Sequence, residues 1–259
     1  KNEKRCVMGK VISILNQKGG VGKTTTTFNV AAVLAQRGYK VLMIDSDSQS
    51  SLTLMTGNNP LAFDVNLCDV FDGDMADKAI YPLNIENLSL LPSSISLARM
   101  EAKLMTTMLG AERKVKKAID PLRRKYDFIF IDCPPALGLL TINALVASDY
   151  LITPCETTNL SSYALEDLKD TVDAVKEVNT DLEWLGVIAT RYNKVTKAHN
   201  RVLEELQEEH NVLGIVKNSV AIQAGIEEGL PCVIADPKSD VSKTYVEITE
   251  TLLNMVKVE

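Results

Sequence analysis

The chain has 259 residues, of which 46% are apolar and only 5% aromatic, and its formal net charge is −6. This composition is typical of a globular protein, and the acidic balance excludes a surface that is basic all over, so any DNA contact must come from a local patch. The five cysteines are scattered without a C-x-x-C pair, which favours reduced thiols over a disulfide framework or a zinc site. Because no apolar run reaches bilayer-spanning length and no signal-peptide pattern is present, we expect a cytoplasmic protein.

Short apolar strands alternate with helical patterns along the chain. Strands are predicted at 10–15, 40–45, 88–92, 126–132, 150–154 and 183–190, and helices at 23–38, 95–108, 111–124, 139–147, 161–178 and 197–209. This alternation indicates a doubly wound, mostly parallel α/β sheet with helices on both faces. Since no repeat or linker interrupts it, we predict one domain over residues 1–259, with residues 1–9 as a disordered N-terminal extension.

A last helix is predicted at 241–257. Its apolar residues fall on one stripe, which favours packing against the core: Val241, Tyr245, Ile248, Leu252 and Met255. A helix that lies on a membrane would carry lysines on its polar face, whereas this one carries mainly glutamates. We therefore expect no membrane attachment.

A candidate phosphate-binding loop follows the first strand. Residues 16–27 read NQKGGVGKTTTT, and a strand, a glycine-rich turn and a helix are the context that such a loop requires. Backbone N–H groups and the helix N-terminus would face the phosphates, Lys23 would neutralise the β- and γ-phosphates, and the Thr24 hydroxyl would hold Mg²⁺. The predicted nucleotide-binding residues of the loop are Gly19, Gly20, Val21, Gly22, Lys23, Thr24 and Thr25. A second lysine, Lys18, stands five residues before Lys23.

Carboxylates follow two other predicted strands. Asp132 ends the run at 126–132, and the prolines after it place this residue at the carboxyl edge of the sheet, where ligands bind in such folds. Asp45 and Asp47 follow the second strand. Being two residues apart, one can face a metal ion and the other an attacking water.

Three stretches together resemble a known family. KGGVGKTT, VLMIDSDSQSSLT and YDFIFIDCPPALGLLTINAL, in this order, are similar to the ParA/Soj family of deviant-Walker-A (MinD-like) partitioning ATPases. The likeness continues through GVIATRYNKVT and EEGLPCVIADPKSDVSKTYVEI and so covers almost the whole chain. It implies a P-loop NTPase fold, ATP and Mg²⁺ as cofactors, and hydrolysis to ADP and phosphate that is slow without a partner.

The resemblance also gives Lys18 a role. In this family the extra lysine reaches across a homodimer interface to the phosphates of the partner subunit, so the dimer depends on ATP. Lys18, Lys23 and Asp47 are then the catalytic residues, with Asp47 positioning the attacking water. Gly19 would lie where the two backbones approach most closely, so a Cβ at this position is expected to weaken the dimer.

Further site residues are implied by the same resemblance. Asp45 and Asp132 join Thr24 in the Mg²⁺ shell, and Asn193 lies near the adenine. The chain departs from the family motif D-x-D-P-Q-G-N, because serines replace its Pro, Gly and Asn at positions 48, 50 and 51. The aspartates are intact, so hydrolysis is still expected.

DNA binding is predicted from two basic groups, one in residues 112–125 and one after the strand at 183–190. The candidate contacts are Arg113, Lys116, Lys117, Arg191, Lys194, Lys197, Arg201 and Lys217. In a dimer these patches double, which favours weak, salt-dependent binding of duplex DNA without sequence preference, in the ATP state only. Residues 217–221 read KNSVA where relatives commonly read PRNVR, so arginines that often contact DNA in the family are missing.

The resemblance further implies a ParB-like centromere-binding partner that triggers hydrolysis, and a nucleoid-associated location. A MinD-like ATPase that positions a protein complex at a membrane or on the nucleoid is the alternative, but the segment TLLNMVKVE is not the basic amphipathic C-terminus that membrane binding needs. An iron–sulfur carrier would need paired cysteines, and Cys133 has none at a useful spacing. A tyrosine kinase on the same loop usually has a tyrosine-rich tail, whereas only Tyr245 lies near this terminus.

Overall fold

Eight strands form one sheet in the computed structural model, which describes residues 8–73, 75–107, 109–158 and 161–256. The strands are β1 (Lys10–Ile14), β2 (Val41–Asp45), β3 (Tyr81–Pro82), β4 (Leu88–Leu91), β5 (Phe128–Asp132), β6 (Tyr150–Glu156), β7 (Glu183–Tyr192) and β8 (Val212–Lys217). Their order is β3-β4-β2-β5-β1-β6-β7-β8. Neighbouring strands are parallel except β3 and β4, so the carboxyl ends of all strands but β3 lie at one edge.

Helices connect the strands. They are α1 (Lys23–Gln36), α2 (Ser51–Met55), α3 (Leu67–Asp72), α4 (Leu97–Met105), α5 (Lys114–Ile119), α6 (Leu139–Ala147), α7 (Ser161–Lys176), α8 (Lys197–Glu209), α9 (Val220–Glu228), α10 (Cys232–Ala235) and α11 (Asp240–Met255). Short 3₁₀ turns at Pro60–Ala62, Ala76–Ala79, Ala111–Arg113 and Asp120–Arg124 complete the connections.

The alternation of side chains along β5 shows how the sheet is covered on both faces. Phe128 and Phe130 pack in the cluster that contains the buried residues of α1 and α11, whereas Ile129 and Ile131 pack in the cluster that contains those of α4, α5 and α6. All four side chains are fully buried. The doubly wound, mostly parallel α/β sheet predicted from the sequence is thus confirmed.

The six predicted strands are present, but two strands and four short helices of the described residues were not predicted. β8 contains Gly214 within a short run, and β3 has only two residues, so neither gives a clear period. The helix predicted at 111–124 is interrupted, with α5 flanked by two 3₁₀ turns. Pro121 accounts for the second interruption, because it cannot donate a helical hydrogen bond.

The sequence predicted a disordered N-terminal extension and a last helix that packs on the core. Residues 1–7 of the expected extension lie outside the described residues, while Gly9 is buried and its N–H donates to the Arg123 carbonyl at 2.7 Å. The apolar stripe of α11 packs into the core as predicted, since Val241, Tyr245 and Leu252 are at most 4% exposed. None of the described helices is both long and apolar enough to cross a bilayer.

Candidate nucleotide-binding site

The phosphate loop lies between β1 and α1, at the carboxyl edge of the sheet. Gly20 and Gly22 have φ angles of 74° and 92°, in the left-handed region that favours glycine. These turns lead directly into α1, and no described side chain caps its first turn. The N–H groups of that turn are therefore suited to bind the oxygens of a phosphate.

Lys23 is held beneath this loop. It is 8% exposed, and its Nζ donates to the main-chain oxygens of Asn16 and Lys18 at 3.1 and 3.2 Å. Burial lowers the pKa of Lys23, and the nearby Asp132 carboxylate partly opposes this shift. A buried ammonium group whose hydrogen bonds go to main-chain carbonyls would gain strongly from an added phosphate.

Thr24 and Asp132 form the metal-binding candidate. The Thr24 hydroxyl donates to Asp132 Oδ2 at 2.7 Å, and Thr27 donates to Oδ1 at 3.2 Å. Burial raises the pKa of Asp132 to about 7, and the neighbouring Asp45 carboxylate adds to the shift. No group of three or more metal-binding side chains occurs in the part of the chain that the structure describes. The pair therefore fits Mg²⁺, which needs only one or two protein ligands when phosphates and water supply the rest.

Asp45 lies behind this pair, opposite Asp132 in the register of β2 and β5. It is fully buried, and its Oδ2 accepts from both the N–H and the hydroxyl of Thr53, at 2.8 and 2.7 Å. Its Oδ1 accepts from the N–H of Asp47 at 3.2 Å. Burial raises the pKa of Asp45 to about 6. These contacts tie Asp45 to the loop that carries Asp47. Neither Asp45 nor Asp132 is among the residues that line the cavity, and the role of Asp45 beside the metal stays a prediction.

Asp47 is half-buried and lines the cavity opposite the phosphate loop. Its carbonyl oxygen accepts from the Ser93 hydroxyl at 2.6 Å, and its Oδ1 accepts from the Gln49 N–H at 2.9 Å. Ser50, which replaces the family's glycine, is left-handed with a φ of 54°. The serine thus adopts a conformation that glycine would adopt without strain, at a cost of about 1 kcal/mol.

Two adjoining cavities fit the two parts of a nucleotide. The first has a volume of about 400 Å³, and its wall includes Gly19, Gly20, Gly22, Lys23, Thr24, Thr25, Asp47 and Arg191. The second has a volume of about 330 Å³, and its wall includes Gly20, Val21, Gly22, Thr25, Thr190, Arg191, Lys217, Asn218 and Tyr245. The first is suited to phosphates. The second is suited to a nucleoside, and the phosphate loop and Arg191 border both.

Glu156 was missed by the sequence reasoning. It ends β6, and its Oε2 lies 2.5 Å from Lys18 Nζ, which also donates to the Thr158 hydroxyl at 3.2 Å. Its Oε1 lies 3.6 Å from Arg191 Nη1. The sequence did contain a signal for this site residue, because Glu156 ends an apolar strand just as Asp132 does.

The structure does not support two roles predicted near β7, and both stay predictions. Asn193 is exposed, accepts from the Val195 N–H at 3.1 Å and lines neither cavity, so the structure does not bring it to the nucleoside. Arg191 and Lys217, which were assigned to DNA, line the nucleoside cavity instead. Lys217 is the register partner of Tyr192 in the neighbouring strand. Because Arg191 directly precedes Tyr192, the Arg191 and Lys217 side chains lie at the same cavity.

The remaining DNA candidates divide between opposite edges of the sheet. Arg113, Lys116 and Lys117 precede β5 and lie toward the amino edge, where Arg113 pairs with Glu112 at 3.5 Å and Lys116 with Asp120 at 3.8 Å. Lys117 is exposed beside a groove between α3 and α5. The other candidates lie beyond the carboxyl end of β7: Lys194 and Lys197 are exposed, and Arg201 lies 3.7 Å from Glu205.

Comparison with known proteins agrees with this geometry. The profile of a family described as AAA domain matches residues 9–184. The sporulation initiation inhibitor protein Soj of Bacillus subtilis is 36% identical over 94% of this chain and 98% of its own length. The chain belongs to the ParA/Soj family.

Two further members extend the comparison. The chromosome partitioning protein ParA of Myxococcus xanthus is 32% identical over 95% of this chain and 88% of its own. The septum site-determining protein MinD of Pyrococcus horikoshii, solved as a complex with Mg-ADP, has a TM-score of 0.79 and 27% identity, and the match covers 96% of this chain and 97% of that one. ParA/Soj and MinD-like proteins thus share this fold over nearly the full chain.

Proposed function

We propose that this chain is an ATP-dependent DNA-partitioning ATPase of the ParA/Soj type. In the ATP-bound state two subunits close over two nucleotides and bind duplex DNA without sequence preference. A ParB-like centromere-binding partner stimulates hydrolysis to ADP and phosphate and so releases the dimer. The protein would act in the cytoplasm, on nucleoid DNA.

One observation carries this proposal: a phosphate loop with two lysines that point to different places. Lys23 lies beneath the loop, whereas the side chain of Lys18 leaves it toward the end of β6. A single nucleotide needs one such lysine. A second one at the rim fits a site that is completed by another subunit, because polyphosphate enclosed between two protein faces needs additional positive charge.

The chain's own residues suggest how hydrolysis proceeds. Thr24 and Asp132 would hold Mg²⁺, which would supply positive charge to the phosphates of bound ATP. Lys23 and the N-terminus of α1 would bind the phosphates, and Asp47 would orient the attacking water from the opposite wall. Arg191 borders both cavities and would fix the nucleotide between them. Turnover would be slow until a partner protein supplies further charge to the transition state.

Light scattering of an Asp47→Ala variant with ATP and Mg²⁺ tests the proposal. Without hydrolysis, we expect a long-lived dimer that binds a random duplex at low salt, whereas ADP should leave a monomer. The matched control is Lys23→Ala, which should remain a monomer in ATP. An Asp47→Ala protein that stays monomeric with ATP, with or without DNA, would contradict the proposal.

A MinD-like role in positioning a protein complex is the second candidate, favoured by the structural similarity to MinD. The membrane form of this role is opposed by α11, whose apolar stripe is buried in the core. Sedimentation with liposomes separates the candidates. Recovery of the ATP-bound protein with anionic vesicles, and not with DNA, would favour the MinD-like role.

A further inference from the structure

Glu156 is shared by two cations of the nucleotide site. One carboxylate oxygen lies 2.5 Å from Lys18 Nζ and the other 3.6 Å from Arg191 Nη1. The Glu156 side chain is 16% exposed, against 38% for Lys18 and 54% for Arg191. A largely buried carboxylate thus lies between a lysine of the phosphate loop and an arginine of the nucleoside cavity.

The backbone of Lys18 is fixed, so only its side chain can change direction. Its N–H donates to Asn16 Oδ1 at 2.9 Å, and its carbonyl accepts from Lys23 Nζ at 3.2 Å. Asn16 is itself held, because its Nδ2 donates to the Pro154 carbonyl of β6 at 2.8 Å. An ammonium group bound to Glu156 and Thr158 of its own subunit must leave these partners before it can reach another subunit.

We propose that Glu156 is a positioning residue that retains Lys18 within its own subunit until a second, ATP-bound subunit competes for the lysine. This inference rests on the proposed ATP-dependent dimer. Dimer formation then exchanges an intrasubunit ion pair for an intersubunit contact with phosphate. In nucleotide-free subunits the same ion pair disfavours closure, since no phosphate replaces the carboxylate.

The charges at this position support the exchange. The hydrogen bond from Lys18 holds the pKa of Glu156 below its usual range, so the carboxylate is ionised at neutral pH. Release of Lys18 would leave that charge largely buried, which is unfavourable. Arg191 remains beside Glu156 and limits this cost, so the exchange can be reversed after hydrolysis.

The first test needs no dimer. Lysine-selective amine labelling of the nucleotide-free monomer, read by mass spectrometry, reports how firmly the Lys18 ammonium is held. We expect Glu156→Gln to raise the labelling rate of Lys18 about threefold relative to Lys40, the factor typical of one partly exposed ion pair. Glu250→Gln is the matched control, since it removes a remote ion pair with Arg37 at 2.8 Å and should leave Lys18 labelling unchanged. An unchanged rate in Glu156→Gln would overturn the proposal.

The second test measures dimerisation by light scattering, with ATP and Mg²⁺, in the Asp47→Ala background. Two subunits each release one ion pair, so adding Glu156→Gln should tighten the dimer about tenfold, whereas Glu250→Gln should not change it. A weaker or equally stable dimer in Glu156→Gln would overturn the retaining role, even if labelling rises. If Asp47→Ala alone forms no dimer, the proposed function fails, and the labelling result still decides whether Glu156 holds Lys18.

Discussion

The charged residues that lie toward the two edges of the sheet differ in their surroundings. Toward the amino edge, the basic segment 113–125 is paired with carboxylates: Arg113 with Glu112, Lys116 with Asp120, Arg123 with Asp149 and Lys125 with Asp77. At the carboxyl edge, burial shifts the pKa of Lys23 downward and that of Asp132 upward. Charges paired within the subunit contribute to the fold. Buried charges whose pKa values are shifted against ionisation mark a place where a ligand supplies the missing partner.

The largest difference between the edges should appear in hydrolysis. Lys23→Ala removes the buried ammonium group, and we expect the rate of phosphate release to fall by a factor of about 10²–10³, because charge on the transferred phosphoryl group loses its main protein cation. The matched change at the amino edge is Lys125→Ala, which breaks an exposed pair with Asp77 and should leave the rate unchanged. Comparable losses in both variants would show that the distinction between the edges is wrong.

An added Cβ should affect the stability of the fold differently at two glycines, one at each edge of the sheet. A Cβ on Gly9, at the amino edge, would overlap the carbonyl oxygen of Tyr126, whereas a Cβ on Gly19 would meet nothing within 4 Å. Gly9→Ala should therefore lower the free energy of unfolding by about 2–3 kcal/mol, and Gly19→Ala by less than about 0.5 kcal/mol. Urea unfolding measures both.

If the proposed dimer forms, Gly19→Ala should still weaken it, because only the second subunit approaches that position. The sequence-based expectation that a Cβ at Gly19 is costly would then hold for the dimer and not for the fold. Normal dimerisation of Gly19→Ala in ATP would remove Gly19 from the interface.

The sequence located the residues whose neighbours along the chain define their role. Lys23 and Thr24 belong to one continuous sequence motif at the start of α1, and Asp132 ends an apolar run. Roles that depend on distant partners were missed or misassigned. The role proposed for Glu156 depends on Lys18, which lies 138 residues earlier, and on Arg191. Arg191 was assigned to DNA because charge alone does not tell which side of a strand end a residue faces.

The dependence of stability on pH should differ between the edges in a metal-free, nucleotide-free protein. Asp132 releases its proton near pH 4 when unfolded but at about 7 when folded. Between these values the folded state binds more protons, so the free energy of unfolding falls as the pH rises from about 4 to about 7 and then levels off.

Asp132→Asn should remove much of this slope and stabilise the protein at pH 8 by about 1–3 kcal/mol. Asp77→Asn, on the exposed amino edge, should retain the slope. A slope of unchanged size in Asp132→Asn would contradict the burial argument.

DNA affinity should depend on the carboxyl edge more than on the amino edge, since two subunits that close over nucleotides bring their carboxyl edges together. We expect Lys194→Glu with Lys197→Glu to weaken the binding of a random duplex about tenfold at low salt and to reduce the salt dependence by about two counterions per subunit. Lys116→Glu with Arg124→Glu, at the opposite edge, should change affinity less than about twofold. A larger loss from the amino-edge pair in a mobility-shift titration would place DNA there and reverse the comparison.

The smallest effect concerns backbone strain. Among the described non-glycine residues with positive φ, Arg191 lines the nucleotide site and Ser50 lies in the loop that carries Asp47. Asn87, by contrast, lies just before β4, toward the amino edge, with a φ of 64°. Asparagine tolerates this conformation better than serine, so Ser50→Gly should raise the free energy of unfolding by about 1 kcal/mol and Asn87→Gly by only a few tenths. Thermal unfolding with and without ATP measures the difference. If strain at Ser50 helps to hold Asp47 against the phosphate loop, Ser50→Gly should also lower the hydrolysis rate although the protein is more stable, because strain is retained at sites where it serves the chemistry.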